Sequence, residues 1–272
     1  MDIEKIIKDT IKKYKICNKN DKVLVALSGG KDSTLVAYLL KKFGYNVEGF
    51  HIDLKIGKYS EDCLEKVKEL CEKNKIKLHL YDMKKEMGAG MCYIRTAIQS
   101  KQKGQIKNCA ICGVIKKWVM NKCARKIKGV DKIATGHNLD DEAQTFLMNI
   151  FKGSPELSSN IGPITRNVSD KKFTPRIKPL FFVPEDEIKK YTLKKKLPVH
   201  YQGCPCALDS YRIQIRTFLN TVSNKEKLNI VKNFEKIRDK IKVEQGEINY
   251  CEICGEPSRN KVCKKCQLMK LK

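Results

Sequence analysis

The chain lacks any apolar run of the roughly 18 residues that a membrane-spanning helix needs. Its N-terminus, MDIEKIIKDTIKKYKIC, is amphipathic and lacks the apolar core of a signal peptide. These absences point away from a membrane and place the chain in the cytoplasm. Aromatic residues are sparse, 7% of the chain, with Trp118 the lone tryptophan. The sequence therefore offers no row of stacking platforms for bare bases. It has no internal repeat long enough for a solenoid either. Acidic residues are the minority charge: 31 Asp and Glu face 56 Lys and Arg, a formal charge of +25. A balance this basic favours a polyanionic partner, most often nucleic acid, although a lysine-rich proteome gives the same number without one.

What is present suits a soluble globular protein: 272 residues, 41% hydrophobic and 32% charged. That length allows one sizeable α/β core and a smaller appendage. Thirteen cysteines in a cytosolic chain argue for metal or sulfur chemistry rather than disulfides. Cys109 and Cys112 form one CxxC, Cys204 and Cys206 a CPC, and Cys251, Cys254, Cys263 and Cys266 two further CxxC pairs. Cys17, Cys63, Cys71, Cys92 and Cys123 stand alone and read as small buried apolar residues.

Residues 1–20 read as a basic helix. KVLVAL at 22–27 is a short β-branched run, a buried strand. Helical spacing follows to Gly44, then a strand ending at Asp53, a helix near 59–75 and a strand ending at Asp82. A second half starts with a helix over about 112–128, a strand and loop in DKIATGHN, and a helix in DDEAQTFLMNIFKG. Residues 153–180 are loop-rich, and helices are expected near 184–196, 209–222 and 225–242. Alternating strands and helices predict an α/β fold with a doubly wound parallel sheet, a helical C-terminal extension and a small zinc module. In such sheets ligands lie at the carboxyl ends of the strands. The SGGKDS loop, the HID end and the TGHNLDD loop fall there and should form one pocket. Its candidate nucleotide-binding residues are Ala26, Ser28, Gly29, Gly30, Lys31, Asp32, Ser33, His51, Asp53, Gly136 and Asp141.

The stretch VALSGGKDST, 25–34, follows a strand and opens a helix, where backbone amides favour an anion. Walker A requires a glycine five positions before the one preceding its lysine, and Ser or Thr after the lysine. Val25 and Asp32 occupy those positions, so this is a different phosphate loop. In TGHNLDDEAQ, Asp140 and Asp141 hold Mg²⁺, or position an activated substrate, or simply cap a helix. The CxxC at Cys109 and Cys112 is a metal half-site or a redox pair, and Cys204 or Cys206 can complete it. Two completions stand open: a closed zinc site of all four thiolates, or three thiolates on an iron–sulfur cluster with one iron open. CxxC-x8-CxxC on the core-poor tail is a strong signal for a closed zinc site, with Arg and Lys around it for phosphate contacts.

The string SGGKDS resembles the PP-loop of the ATP pyrophosphatases, which cut ATP between its α- and β-phosphates and transfer AMP. With CAICGVIKK, GHNLDDEA, the Cys204–Pro205 pair near Tyr211–Arg212 and the four-cysteine tail, the chain resembles the tRNA 2-thiouridine synthetases of the TtuA/TtcA superfamily. Archaeal and eukaryotic wobble-uridine thiolases are relatives of that group. The resemblance covers about residues 20–268. It implies four regions: a basic helix at 1–20, a PP-loop catalytic domain at 21–165, a helical tRNA-binding extension at 166–245 and a zinc finger at 246–272. It further implies a 4Fe–4S cluster on Cys109, Cys112 and Cys204, whose fourth iron can carry sulfide. The family's catalytic lysine falls on Lys116 and its catalytic aspartate on Asp140 or Asp141. The implied cofactors are ATP, Mg²⁺, the 4Fe–4S cluster and Zn²⁺. The implied partners are tRNA, a second copy in a homodimer, and a sulfur donor: sulfide, a persulfide or a ubiquitin-like thiocarboxylate protein. The family's N-terminal zinc finger has no counterpart before Val23, so tRNA docking is expected to differ. Cys206 stands where relatives often carry an aromatic residue.

The expected reaction is adenylation of the C2 oxygen of a tRNA uridine and its replacement by sulfur, giving 2-thiouridine. Other readings are a cytidine thiolase, an amidating or lysidine-type PP-loop ligase, which leaves Cys109, Cys112 and Cys204 unused, and a zinc-bearing RNA-binding protein, which leaves the loop unused.

Overall fold

The computed structural model describes residues 1–101, 106–165, 172–207, 212–238, 240 and 248–269. The first helix, α1 (Ile3–Tyr14), is capped by Asp2, whose side chain accepts from the Lys5 amide. Its buried face is Ile3, Ile7, Thr10 and Ile11, the spacing of one stripe on a helix. β1 (Lys22–Leu27), α2 (Lys31–Lys42), β2 (Asn46–Asp53), α3 (Gly57–Lys73) and β3 (Lys77–Asp82) follow as alternating units. Two helices come next, α4 (Met83–Met87) and α5 (Met91–Lys101), then α6 (Asn108–Lys126), β4 (Lys132–Ala134) and α7 (Leu139–Phe151). A short 3-10 turn at Pro155–Asn160 leads to β5 (Arg176–Ile177), α8 (Glu185–Lys194), α9 (Arg212–Asn220) and α10 (Asn224–Arg238). The tail forms β6 (Asn249–Tyr250), β7 (Pro257–Ser258) and α11 (Lys264–Met269).

The five main strands pair in parallel in the order β3-β2-β1-β4-β5, and β6 pairs antiparallel with β7. This is the doubly wound parallel sheet that the alternating pattern predicts. β1 runs out to β2 on one side and β4 on the other, so the direction of winding reverses between β1 and β4. The crevice at their carboxyl ends is the place such a sheet offers a ligand. One face of the sheet is packed by α1, α2 and α8 through Ile7, Leu35, Leu39 and Ile188; the other by α5 and α6 through Ile94, Ile111 and Ile115. A third apolar cluster joins α7, α9 and α10 through Ala143, Leu219 and Phe234. Among the described residues no helix is long and apolar enough to cross a membrane.

Several elements differ from their sequence expectation. α1 lies in the main core with α2, through Ile3, Ile7 and Ile11. α6 begins near Asn108 rather than 112, which brings Cys109 into its first turn and Cys112 onto its second. α4 and α5 had no periodic signal strong enough to predict them. The 153–180 segment, expected as loop, contains β5, two residues long between Pro175 and Pro179. It pairs with β4, so the sheet runs past residue 165 into the segment expected to be a helical extension. Residues 208–211, 239 and 241–247, parts of two expected helices and of the link to the tail, lie outside the described residues.

Candidate active site

Gly29 sits at the first turn of the loop after β1 with φ +84, and a Cβ there would lie 2.9 Å from the backbone of Cys63 on α3. Only glycine satisfies both conditions. Gly30 is the N-cap of α2 and supplies no side-chain acceptor, so the first-turn amides stay available to an anion. Ser33 Oγ accepts from the Ser28 amide (3.1 Å) and donates to Gly30 O (3.1 Å), which sets the loop's curvature. The Ser28 and Ser33 hydroxyls meet at 3.1 Å. Lys31 Nζ bridges Asp32 Oδ2 (3.0 Å) and Glu185 Oε1 (2.8 Å), and Arg216 shares that Glu185 oxygen at 2.6 Å. Desolvation lowers the Lys31 pKa, but Asp32 and Glu185 outweigh it and hold the ammonium charged.

Across the crevice, Gly136 after β4 packs so close that a Cβ would stand 2.7 Å from the Ser33 amide. Asn138 caps α7 in a reciprocal box with Asp141 and donates Nδ2 to Asp32 Oδ1 at 3.0 Å. The two loops are thus fastened to each other. His137 hydrogen-bonds Thr135 Oγ1 at 2.8 Å. Desolvation, then Lys178, Arg212, Lys117 and Arg176, push its imidazole down to about 3, so it is neutral. Burial raises the carboxyls of Asp32 and Asp141.

The adjacent aspartates part company. Asp140, 6% exposed, accepts from Lys227 Nζ (2.7 Å) and the Glu185 amide (2.7 Å), tying α7 to α10 and α8. Asp141 turns towards the crevice and pairs with Arg212 Nη1 at 3.0 Å. On the other wall, His51 is 3% exposed and donates Nδ1–H to Leu27 O (2.9 Å), which leaves Nε2 as a buried acceptor with no partner among the described residues. Desolvation lowers its pKa. Asp53 is engaged by Lys55, through the amide at 3.0 Å and Nζ at 2.8 Å. Ala26 lies within β1, paired with Phe50.

A cysteine pocket adjoins the loop. The His200 amide donates to Gly29 O at 2.9 Å, anchoring the segment that leads to Cys204. Burial raises the Cys204 thiol; the Cys206 amide pulls it down, the Cys206 and Cys112 sulfurs push it up and Lys116 lowers it, with a net rise. Desolvation, Cys63, Cys204 and Cys112 all raise the Tyr59 hydroxyl. Cys112, Cys204 and Lys116 therefore meet beside α3, and Cys109 stands exposed on the preceding turn of α6. Their sulfurs are not within 4.8 Å of one another as a set, unlike those of the terminal quartet. Cys17, Cys63 and Cys71 are buried as expected, but Cys92 is not: it is exposed, and buried Arg95 donates to its sulfur at 3.2 Å and to Cys206 at 2.9 Å.

In the tail, the sulfurs of Cys251, Cys254, Cys263 and Cys266 lie within 4.8 Å of one another, a set that can hold one metal ion. Cys254 and Cys263 are 3.7 Å apart. Burial raises the Cys251 thiol, but the amides of Cys263, Cys254 and Ile253 pull it down to about 6, which readies it as a thiolate. The module docks on α6. Trp118 packs against the quartet, Lys265 lies over its ring at 4.4 Å, and Arg125 grips Glu256 with both guanidinium arms.

Sequence reading missed Glu185, Lys227, Arg176 and Lys178, and gave no role to Lys117 in CAICGVIKK or to Arg212 beside Tyr211. Lys116 and Lys117 are sequence neighbours that serve different places, Lys116 by Cys204 and Lys117 among the cations near His137.

A parallel sheet with a non-Walker phosphate loop at its switch point, an acidic loop opposite and thiols alongside defines an ATP-pyrophosphatase-like α/β protein. The PP-loop domain family matches residues 2–220. The chain is 36% identical to the tRNA-5-methyluridine(54) 2-sulfurtransferase of Pyrococcus horikoshii, over 99% of this chain and 85% of that one. It is 35% identical to cytoplasmic tRNA 2-thiolation protein 1 of Drosophila mojavensis, over 97% and 77%. Its fold is similar to the U34-tRNA thiolase NcsA of Methanococcus maripaludis, solved with its [4Fe-4S] cluster: TM-score 0.82, 28% identity, 98% of this chain and 86% of that one. The chain belongs to the PP-loop family that contains these tRNA 2-sulfurtransferases.

Proposed function

We propose that the chain is an AMP-forming tRNA uridine 2-sulfurtransferase: it adenylates the C2 oxygen of a tRNA uridine and replaces it with sulfur. The observation that carries this reading is the His200 amide to Gly29 carbonyl hydrogen bond, which joins the phosphate loop to the Cys204 segment. Activation and sulfur delivery then share one crevice. The names of the relatives support the same chemistry.

The C2 carbonyl of uracil is a poor electrophile, and its oxygen leaves badly without activation. The α2 amides with Ser28, Ser33 and Lys31 receive the pyrophosphate end of ATP, which leaves as AMP passes to the base. His51 Nε2, a buried acceptor, suits a nucleotide donor group. Asp141, with Asp32 beside it, would hold Mg²⁺ against the phosphates; Asp140 is occupied by Lys227. Lys117, Arg176, Lys178 and Arg212 line the cationic approach by which tRNA phosphate reaches the crevice. Cys109, Cys112 and Cys204 would hold a 4Fe–4S cluster such as the one NcsA carries. When bound, it would supply an iron site for sulfide. Lys116 sets positive charge beside Cys204 and stabilises the anion that forms as sulfur adds. The terminal quartet, at single-ion separations, would hold Zn²⁺. A cytoplasmic homodimer with a separate sulfur donor belongs to the same reading; sedimentation tests the dimer.

Anaerobic chain, tRNA, ATP and sulfide should give 2-thiouridine by nucleoside mass spectrometry, with AMP and pyrophosphate formed in step. Mapping the modified position distinguishes the wobble site from the T-loop. Thiolation without AMP, or no thiolation by iron-loaded chain, would overturn the reading.

A further inference from the structure

We propose that Cys92 and Cys206, held together on Arg95, form a dithiol that reduces a persulfide sulfur to sulfide at the edge of the candidate active site. The inference rests on the thiolase reading and identifies its sulfur donor as a persulfide.

Cys206 lies two residues beyond Cys204, and Cys92 is in the first turn of α5, so two distant segments bring these thiols together. Arg95 is 7% exposed, and its Nη2 donates to both sulfurs, at 2.9 Å to Cys206 and 3.2 Å to Cys92. Among the described residues Arg95 Nε has no partner, and the two thiols are the acceptors its Nη2 meets. Cys112 stands near the same guanidinium and Cys206 near Cys204. The pair therefore opens onto the pocket where sulfur is wanted. Cys92 is exposed, which gives a donor a way in.

Electron balance gives the pair its task. Sulfur enters uridine at the oxidation level of sulfide, whereas the outer sulfur of a persulfide is two electrons more oxidised. Cys206 Sγ attacks that outer sulfur, the donor's S–S bond breaks, and the donor leaves as a thiol: R–S–SH + Cys206–SH → R–SH + Cys206–S–SH. Cys92 Sγ then attacks Cys206 Sγ. The new S–S bond joins Cys92 to Cys206, and the outer sulfur leaves with the electron pair and a proton as hydrogen sulfide, beside Cys112 and Cys204. Two thiols are oxidised to a disulfide and one sulfane sulfur is reduced. A cellular dithiol reductant restores the pair by exchange.

The test uses anaerobic, iron-loaded full-length chain and glutathione persulfide, without tRNA or other reductant. The expected result is one sulfide per chain and a Cys92–Cys206 disulfide in the peptide map. C92S should lose at least about tenfold in sulfide release and keep an added sulfur on Cys206. C206S should lose both products. C123S, which alters a thiol outside the pair, controls for folding and background release. Sulfide release from C92S and C206S equal to that of C123S would overturn the proposal. So would a Cys206 that resists persulfide in the iron-loaded chain, which would mark it as a cluster ligand. Thiolation by the wild-type chain with free sulfide tests the thiolase reading separately, because that reaction needs no reduction.

Discussion

Asp140 and Asp141 share a motif and differ in everything around them. Asp140 and Lys227 form a pair with only 9% of each side chain exposed. Neutralising one partner strands the other, at a cost of about 3–5 kcal/mol. D140N should therefore lower the melting temperature on the order of 10 °C. Asp141 faces the crevice and an arginine already half in solvent, so D141N should change stability little and slow AMP formation about 100-fold. A thermal melt beside a pyrophosphate-release assay separates the two; the reverse pattern would exchange their roles.

At the scale of elements, two close approaches decide whether the crevice exists. A Cβ on Gly136 would meet the Ser33 amide at 2.7 Å and Asp32 backbone at 2.9 Å, where nothing flexible can yield. G136A should push the β4–α7 turn off the α2 N-terminus and weaken ATP binding at least tenfold by calorimetry, while the sheet remains. The four-cysteine tail, proposed to hold a metal, is the second device. Trp118 and Arg125, which hold it, sit on the helix that bears Cys109 and Cys112. Removing the quartet's metal with a chelator should therefore also increase hydrogen exchange in α6. How much of this was legible follows from the range of each interaction. SGGKDS declared the loop because its chemistry is contained in six adjacent residues, and the terminal quartet declared a four-thiol group that can hold a metal for the same reason. The Asp140–Lys227 pair spans 87 residues, and Cys92–Arg95–Cys206 spans two segments; neither leaves a trace in local spacing. β5 was missed because two residues between prolines have no period to detect.

For the whole molecule, the question is whether a charge of +25 is a binding surface or only a habit of composition. The carboxylates are largely spoken for: Glu4 by Lys42, Glu142 by Lys178, Glu185 by Lys31 and Arg216, Glu256 by Arg125. With 31 acidic residues against 56 basic ones, the excess lysines and arginines have too few carboxylates to neutralise them. If tRNA neutralises this surface, each phosphate engaged should add about −0.7 to −0.9 to the slope of log K against log salt. Six to ten such phosphates would then reduce affinity by about 10³–10⁵ between 50 and 200 mM salt. Fluorescence anisotropy with labelled tRNA measures that slope. Replacing Lys117 or Arg176 by alanine should reduce its magnitude by about one for each phosphate that the side chain no longer neutralises. Replacing Lys73, which pairs with Glu69 on the outer face of α3, should leave it unchanged. A shallow slope, insensitive to all three, would make the charge a property of composition and restrict tRNA recognition to the crevice itself.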